Sequence, residues 1–258
     1  MPELPDVEVF RRYCARTSLK KKISHVSDVD GQILETSEST LRRHLLDNEF
    51  RATARHGKYL FLEISDGYQL VLHFGMTGHP EYFSKEAPEY TRLAFQFGKG
   101  GLAYVCPRRL GNVFIAESIE SFVEQKGLGP DVLELKKNEF VEILENTSGM
   151  AKTALMNQGK MAGIGNIYSD EILYQAGVHP ERQVQSMSGD GLQNLFNVTG
   201  RVLETAIRHH AEPEEFPERY LNYDRSEGRK CSICSGEIKK KKVGGRPSYF
   251  CPRHQKKQ

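Results

Sequence analysis

The chain has 258 residues, of which 38% are hydrophobic and 27% are charged. This length is enough to bury a sizeable core in one or two domains. The mean hydropathy is −0.55, and no apolar run approaches the roughly 18 residues of a membrane span, so we expect neither a membrane protein nor a wholly disordered one. The first ten residues lack the pattern of a secretory signal, which favours a cytoplasmic protein, associated with the nucleoid if the source is prokaryotic.

The net charge of +2 is unevenly distributed along the chain. Residues 216–258 contain twelve Lys or Arg and four Asp or Glu, a net charge of +8, so the preceding 215 residues carry −6. A basic module suits a polyanionic partner, because each phosphate contact releases condensed counterions. The alternative is a solvated basic tail that binds no partner.

The first half of the chain predicts a β-sandwich that begins with a helix. Pro5 and the acidic residues after it are typical of a first helical turn and predict a helix over residues 5–17. Four apolar segments then form two pairs around glycine-containing turns: 59–64 with 68–74, and 93–97 with 102–105. Such pairs are typical of β-hairpins.

The second half predicts helices and a small terminal module. Two glycines and a proline mark a linker, after which apolar residues recur with helical spacing. The segment from Met156 to Asn166 predicts two turns before a helix over residues 167–176. We therefore expect an α+β fold with four parts: a β-sandwich domain at 1–123, a linker at 124–133, a helical domain at 134–227 and a zinc finger at 228–258.

The terminal module contains four candidate metal ligands. Cys231 and Cys234 are separated by two residues, as are Cys251 and His254, with sixteen residues between the pairs. Paired ligands at this spacing are typical of a tetrahedral zinc site. The segment between the pairs suits a β-hairpin with Arg246 at its tip.

Two further features carry weaker signals. Removal of Met1 would leave Pro2 with a free amine, whose pKa of about 7.7–8.0 permits nucleophilic attack on a sugar C1′, and the Glu3 carboxylate could carry protons. An N-terminus without chemical function is the alternative. Asn166 follows a glycine-rich turn and could cap the next helix, whose free backbone N–H groups would then face an anion; glycine-rich caps that bind nothing are the simpler alternative.

Several motifs occur in one order over essentially the whole chain. They are PELP at Pro2, GKYL at Gly57, HFGMTG at His73, PRR at Pro107, LGP at Leu128, the segment Met161 to Glu171, and the finger with Gly245 and Arg246. In these motifs the chain resembles the Fpg/Nei superfamily of bifunctional DNA glycosylases, which comprises formamidopyrimidine-DNA glycosylase and endonuclease VIII.

The resemblance implies a fold, a reaction and a set of site residues. The helical domain would be a helix-two-turn-helix domain. Pro2 would be the Schiff-base nucleophile and Glu3 the acid that helps to open the sugar. Lys58 would serve phosphate binding and β-elimination, and Arg246 phosphate binding and δ-elimination. The implied DNA contacts are His73, Met76, Arg108, Lys152 and Asn166, and the implied lesion-pocket residues are Asp6 and Glu171.

The resemblance also implies one structural Zn²⁺ and a monomer that acts on damaged, double-stranded DNA in base excision repair. Four departures from the family pattern bear on the substrate. Leu110 replaces a phenylalanine, Asp6 replaces a glutamate and His254 replaces a zinc cysteine. The segment between His210 and Tyr220 is about ten residues short of the family segment that caps 8-oxoguanine, which favours oxidised pyrimidines, hydantoins or ring-opened purines.

Two alternatives stay open. The chain could be a non-catalytic protein that binds damaged DNA on the same scaffold, or an abasic-site lyase with little glycosylase activity. The presence of Pro2, Glu3, Lys58 and Arg246 argues against the first alternative.

Overall fold

The structure, a computed structural model, describes residues 2–257. Its helices are α1 (Leu4–Thr17), α2 (Glu38–Leu45), α3 (Ile119–Gln125), α4 (Lys137–Glu145), α5 (Ala151–Leu155), α6 (Asn166–Ala176) and α7 (Gly189–Arg208). Its strands are β1 (His25–Ser27), β2 (Phe50–His56), β3 (Tyr59–Ile64), β4 (Gln69–His73), β5 (His79–Phe83), β6 (Thr91–Gln96), β7 (Gly101–Val105), β8 (Asn112–Ala116), β9 (Lys239–Val243) and β10 (Arg246–Phe250). Within the described residues, none of the helices combines the length and the apolar character that a membrane crossing requires.

The chain divides into two compact units. The first comprises Pro2 and Asp6–Gly127, and the second comprises Glu3–Pro5 and residues 128–257. The first turn of α1 therefore belongs to the second unit, although the rest of that helix belongs to the first. This division places Glu3 with the helical unit, a placement that the sequence alone did not indicate.

The first unit is the predicted β-sandwich. One sheet has the strand order β1-β6-β7-β5 and the other has the order β2-β3-β4-β8. Alternate residues of β3, namely Leu60, Leu62 and Ile64, contribute to the core that both sheets share, as expected for strands with a period of two. Phe61 points the other way and its ring contacts Phe122 of α3.

The second unit is helical, as predicted, and α6 is its central element. Every residue from Tyr168 to Tyr174 is buried. Helix α6 packs against α5 and α7 and against strand β10. Strands β9 and β10 form the predicted hairpin, with Arg246 paired to Val243 across the tight turn. One helix therefore touches both the helical core and the basic finger.

Candidate active site

Glu3 is the best-anchored of the predicted catalytic residues. Its side chain is 1% exposed, and its carboxylate accepts hydrogen bonds from the backbone N–H groups of Gly165 at 2.7 Å and Ile167 at 2.8 Å. A third bond comes from the N–H of Tyr168 at 3.2 Å. These are donors that a helix leaves unpaired at its N-terminus, where the helix dipole also favours a negative charge.

This contact explains why the residue before α6 is a glycine. A β-carbon on Gly165 would lie 2.4 Å from Glu3 Oε1, closer than two such atoms can approach. The sequence indicated that this helix N-terminus could face an anion, and in the structure a carboxylate of the chain itself takes that position. Asn166 is the first residue of α6 and does not cap it. Its Oδ1 is buried and has no hydrogen-bond partner among the described residues.

In the first unit, His73 lies at the end of β4 beside two lysines. Burial, together with the charges of Lys58 and Lys126, lowers the pKa of His73 to about 4. The imidazole is therefore neutral near physiological pH and can donate or accept a hydrogen bond without adding charge. The hydroxyl of Tyr104 donates to the carbonyl oxygen of His73 at 2.8 Å and fixes this end of the strand.

Met76 and Leu110 are large apolar side chains that face solvent. Met76 is 42% exposed and Leu110 is 48% exposed. Their loops lie side by side, because a β-carbon on Gly75 would be 2.4 Å from the carbonyl carbon of Leu110. Gly75 also has a φ of +58°, which other residues rarely adopt. Arg108 is exposed in the same loop as Leu110. The first unit thus presents two apolar tips and a cation together.

Lys152 was expected to contact a phosphate, but it is not exposed. Its side chain is completely buried, and Nζ donates to Asp170 Oδ1 at 2.6 Å. A second bond joins Nζ to the carbonyl oxygen of Pro247 at 3.1 Å. Burial lowers the pKa of Lys152, and the Asp170 carboxylate acts in the opposite direction. The predicted DNA contact is therefore corrected to an internal ion pair.

The cysteines of the finger form a cluster. The Sγ atoms of Cys231, Cys234 and Cys251 all lie within 4.8 Å of one another. His254 is not part of this close group, but its Nε2 lies 2.8 Å from the carbonyl oxygen of Tyr174. A donated Nε2–H leaves Nδ1 with its lone pair, the arrangement typical of a histidine that ligates a metal. Three thiols, with an imidazole nearby, fit a structural metal site.

Comparison with known proteins agrees with this geometry. Residues 1–113 match the formamidopyrimidine-DNA glycosylase N-terminal domain, and residues 127–216 match the formamidopyrimidine-DNA glycosylase H2TH domain. A formamidopyrimidine-DNA glycosylase of Pelotomaculum thermopropionicum is 31% identical over 99% of this chain and 99% of its own. The chain belongs to the formamidopyrimidine-DNA glycosylase family. The resemblance inferred from the motifs is thereby confirmed.

Solved structures of Lactococcus lactis Fpg share the fold. The complex of that protein with DNA containing an abasic site has a TM-score of 0.90 at 28% identity, over 99% of this chain and 100% of that chain. A complex with DNA containing Fapy-dG also has a TM-score of 0.90 at 28% identity, over 98% of this chain and 100% of that chain.

The remaining residues implied by the Fpg resemblance lie at different depths. Pro2 is half-buried just before α1, and Asp6 is half-buried in the first turn of that helix. Lys58 is half-buried in the turn between β2 and β3, and Arg246 is exposed at the start of β10. Met1, on whose removal the chemistry of Pro2 depends, lies outside the described residues.

Glu171 was expected in the lesion pocket, but it is completely buried. Its Oε2 accepts from the backbone N–H of Asn222 at 2.7 Å, and its Oε1 accepts from Leu221 N at 3.2 Å and from Gln175 Nε2 at 2.9 Å. Burial raises the pKa of Glu171 to about 7. The structure therefore assigns this carboxylate to anchoring the segment that leads into the finger.

The sequence analysis missed Asp170. This residue is 1% exposed and accepts hydrogen bonds from the side chains of Lys152, Ser248 and Arg225. One local signal was present: the adjacent acids Asp170 and Glu171 directly precede the apolar residues Ile172 and Leu173, and a buried carboxylate requires partners.

Proposed function

We propose that this chain is a bifunctional DNA glycosylase and abasic-site lyase that excises oxidised bases in base excision repair. One observation carries the proposal beyond family membership. Glu3, which directly follows the proposed nucleophile Pro2, is held with its carboxylate at the N-terminus of α6 by three backbone N–H groups. A catalytic acid fixed in this way is already oriented before the substrate binds.

The first step uses the amine of Pro2. Its nitrogen attacks C1′ of the damaged nucleotide, the glycosidic bond breaks, and the base leaves with the bonding electrons and takes up a proton. The Glu3 carboxylate takes up the proton that the Pro2 nitrogen loses and passes it to the sugar oxygen as the ring opens. The product is an iminium ion that joins Pro2 to the sugar.

Two eliminations then cut the strand. The iminium acidifies the C2′ hydrogen, so loss of that proton breaks the C3′–O bond and releases the 3′-phosphate. In the family a lysine serves this step, and Lys58 lies at the matching position of this chain. Loss of the C4′ proton then breaks the C5′–O bond and releases the 5′-phosphate. Arg246 is exposed on its hairpin, where a guanidinium can bind the departing phosphate.

Access to the glycosidic bond requires the damaged nucleotide to leave the base stack, at a cost of about a few kcal/mol. The exposed side chains of Met76 and Leu110 suit the vacancy left behind, and Arg108 offers a cation to the opposite strand. We assign His73 and Asn166 to backbone contacts, and Asp6 to the lesion side of α1. The substrate is damaged double-stranded DNA, bound by a monomer.

We propose that Cys231, Cys234, Cys251 and His254 hold one structural Zn²⁺. Three of these ligands are clustered, and the ring of His254 is oriented by its hydrogen bond to Tyr174. The Tyr174 hydroxyl lies 3.1 Å from Cys231 Sγ and orients that ligand too. The ion would hold the finger that carries Arg246 and would take no part in the chemistry.

The lesion preference follows from the segment after α7. Phe216 and Tyr220 are buried in the core of the second unit, so this short segment is fixed against the protein at two points. The chain between them has little length left to cover an extruded base. We therefore propose that hydantoins, oxidised pyrimidines and ring-opened purines are preferred over 8-oxoguanine opposite cytosine. We also propose that the protein acts in the cytoplasm, or at the nucleoid in a prokaryote.

Cleavage of matched duplexes tests the proposed activity. One duplex contains an abasic site and another contains a hydantoin opposite the same base. A bifunctional glycosylase cuts both. A lyase without glycosylase activity cuts only the abasic duplex, and a non-catalytic binding protein binds both and cuts neither.

A further inference from the structure

Side chains of α5 and α6 hold three consecutive residues of the finger hairpin. Ser248 Oγ donates to Asp170 Oδ1 at 2.6 Å, and the backbone N–H of Tyr249 donates to Asp170 Oδ2 at 3.0 Å. The carbonyl oxygen of Pro247 accepts from Lys152 Nζ at 3.1 Å. Because Lys152 itself is paired with Asp170, a single carboxylate fixes this part of β10, directly or through one neighbour.

This cluster is well sealed from water. Asp170 is 1% exposed and both Lys152 and Ser248 are fully buried. The guanidinium of Arg225 adds a second cation on Asp170 Oδ2. A buried carboxylate with four hydrogen-bond donors has one arrangement that satisfies all of them, so the hairpin segment is held rigidly.

Helix α6 also holds Glu3. Asp170 comes three residues after Ile167, whose N–H binds the Glu3 carboxylate, which places the two contacts about one helical turn apart. We propose that Asp170 is a positioning residue for Arg246, and that it sets the ratio of δ- to β-elimination product. This inference rests on the function proposed above.

The chemistry explains why position matters for the second elimination. When the C4′ proton leaves and the C5′–O bond breaks, negative charge develops on the departing 5′-phosphate. A guanidinium held at that phosphate stabilises the charge without having to reorganise. A hairpin released from Asp170 would carry Arg246 on a looser support, and the reaction would then stop after the first elimination.

The experiment uses the full-length protein and a duplex with an abasic site. In Asp170→Asn, the fraction of δ-elimination product should fall by about tenfold, while borohydride trapping of the Schiff base stays within about twofold of the wild type. The control is Glu204→Gln, which removes an exposed acid of α7 and should leave both values unchanged. An unchanged product ratio in Asp170→Asn would overturn the proposal.

Two further variants keep the test decisive. Ser248→Ala retains every charge of the cluster and removes one hydrogen bond, so it should lower the δ-product fraction even if Asp170→Asn fails to fold. In an Arg246→Ala background, Asp170→Asn should cause no additional loss of δ-elimination product, because both changes act through the Arg246 guanidinium. Additive losses would contradict a role through Arg246. If the wild type forms no trapped adduct, the proposed function itself has failed.

Discussion

The carboxylate of Glu3 accepts a hydrogen bond from the backbone N–H of Ile167 at 2.8 Å, although 164 residues separate the two in the chain. The contact gives one carboxylate two functions. It satisfies a donor at the N-terminus of α6, and it fixes the acid next to the proposed nucleophile. In the proposed mechanism, catalysis and the structure of the helical unit therefore depend on the same side chain.

Replacement of this acid should separate the two stages of the reaction. Glu3→Gln should slow excision of a damaged base by about 100-fold, because the amide cannot supply the proton. A preformed abasic site can react from its open-chain aldehyde, which has no sugar ring to open, so cleavage there should fall much less. Single-turnover rates on the two duplexes measure the difference, with the exposed Glu86→Gln as a control that leaves both rates intact. Equal losses on both duplexes would contradict the assigned role.

Removal of a finger cysteine should release the metal. Cys251→Ala leaves too few ligands for a tetrahedral site, and a segment this short has little core of its own, so the finger should unfold and DNA affinity should fall. The β-sandwich unit should stay folded. Metal analysis provides the measurement, and Cys106→Ala, which removes a buried cysteine of the first unit, is the matched control. Retention of one zinc per chain in Cys251→Ala would refute the ligand assignment.

The depressed pKa of His73 predicts a pH dependence of stability. The value falls from 6.5 to about 4 on folding, so between these pH values the unfolded chain binds more protons than the native one. The contribution of His73 to the free energy of unfolding of the first unit should therefore be constant above pH 6.5 and fall as the pH drops toward 4. The loss between pH 7 and pH 5 should be about 2 kcal/mol.

Native-state hydrogen exchange of the β4 amides measures this loss locally. The His73→Gln variant provides the comparison, because it lacks the titrating group and should show a smaller fall in protection over the same range. The same fall in both proteins would show that another group is responsible.

Lesion choice should follow ease of extrusion. With a short segment after His210 and with Leu110 as a smaller wedge, the protein offers little help in opening a well-stacked pair. Hydantoins, abasic sites and saturated pyrimidines should be processed faster than 8-oxoguanine opposite cytosine. Single-turnover cleavage of matched duplexes gives the rates. If 8-oxoguanine opposite cytosine is cleaved as fast as the hydantoin, the short segment after His210 does not determine the lesion preference.

The elements were predictable from the sequence where their signals are local. The predicted helix over residues 5–17 is observed at Leu4–Thr17, and the one predicted over residues 167–176 is observed at Asn166–Ala176. The strand pair of β3 and β4 was likewise marked by apolar runs around an Asp-Gly turn. Apolar periodicity and turn residues act over a few positions, so they can be read without knowing the fold.

The partners of the charged residues were not predictable in this way. Lys152 was expected to contact DNA, but it is buried and paired with a carboxylate on another helix. Glu3 finds its hydrogen-bond donors in the second unit, far along the chain. Such pairings depend on which elements pack together, and no local pattern encodes that packing. The family motifs identified these positions as important, but the structure was needed to show what Lys152 and Glu171 contact.

In the proposed mechanism the amine of Pro2 forms a covalent bond with the sugar, and borohydride trapping detects that bond. Protein that begins at Pro2 should form a stable adduct with an abasic-site duplex. Protein with a residue retained in front of Pro2 has an amide at that nitrogen, so it should bind the duplex and form no adduct. An adduct formed at the normal rate by the extended protein would contradict the account.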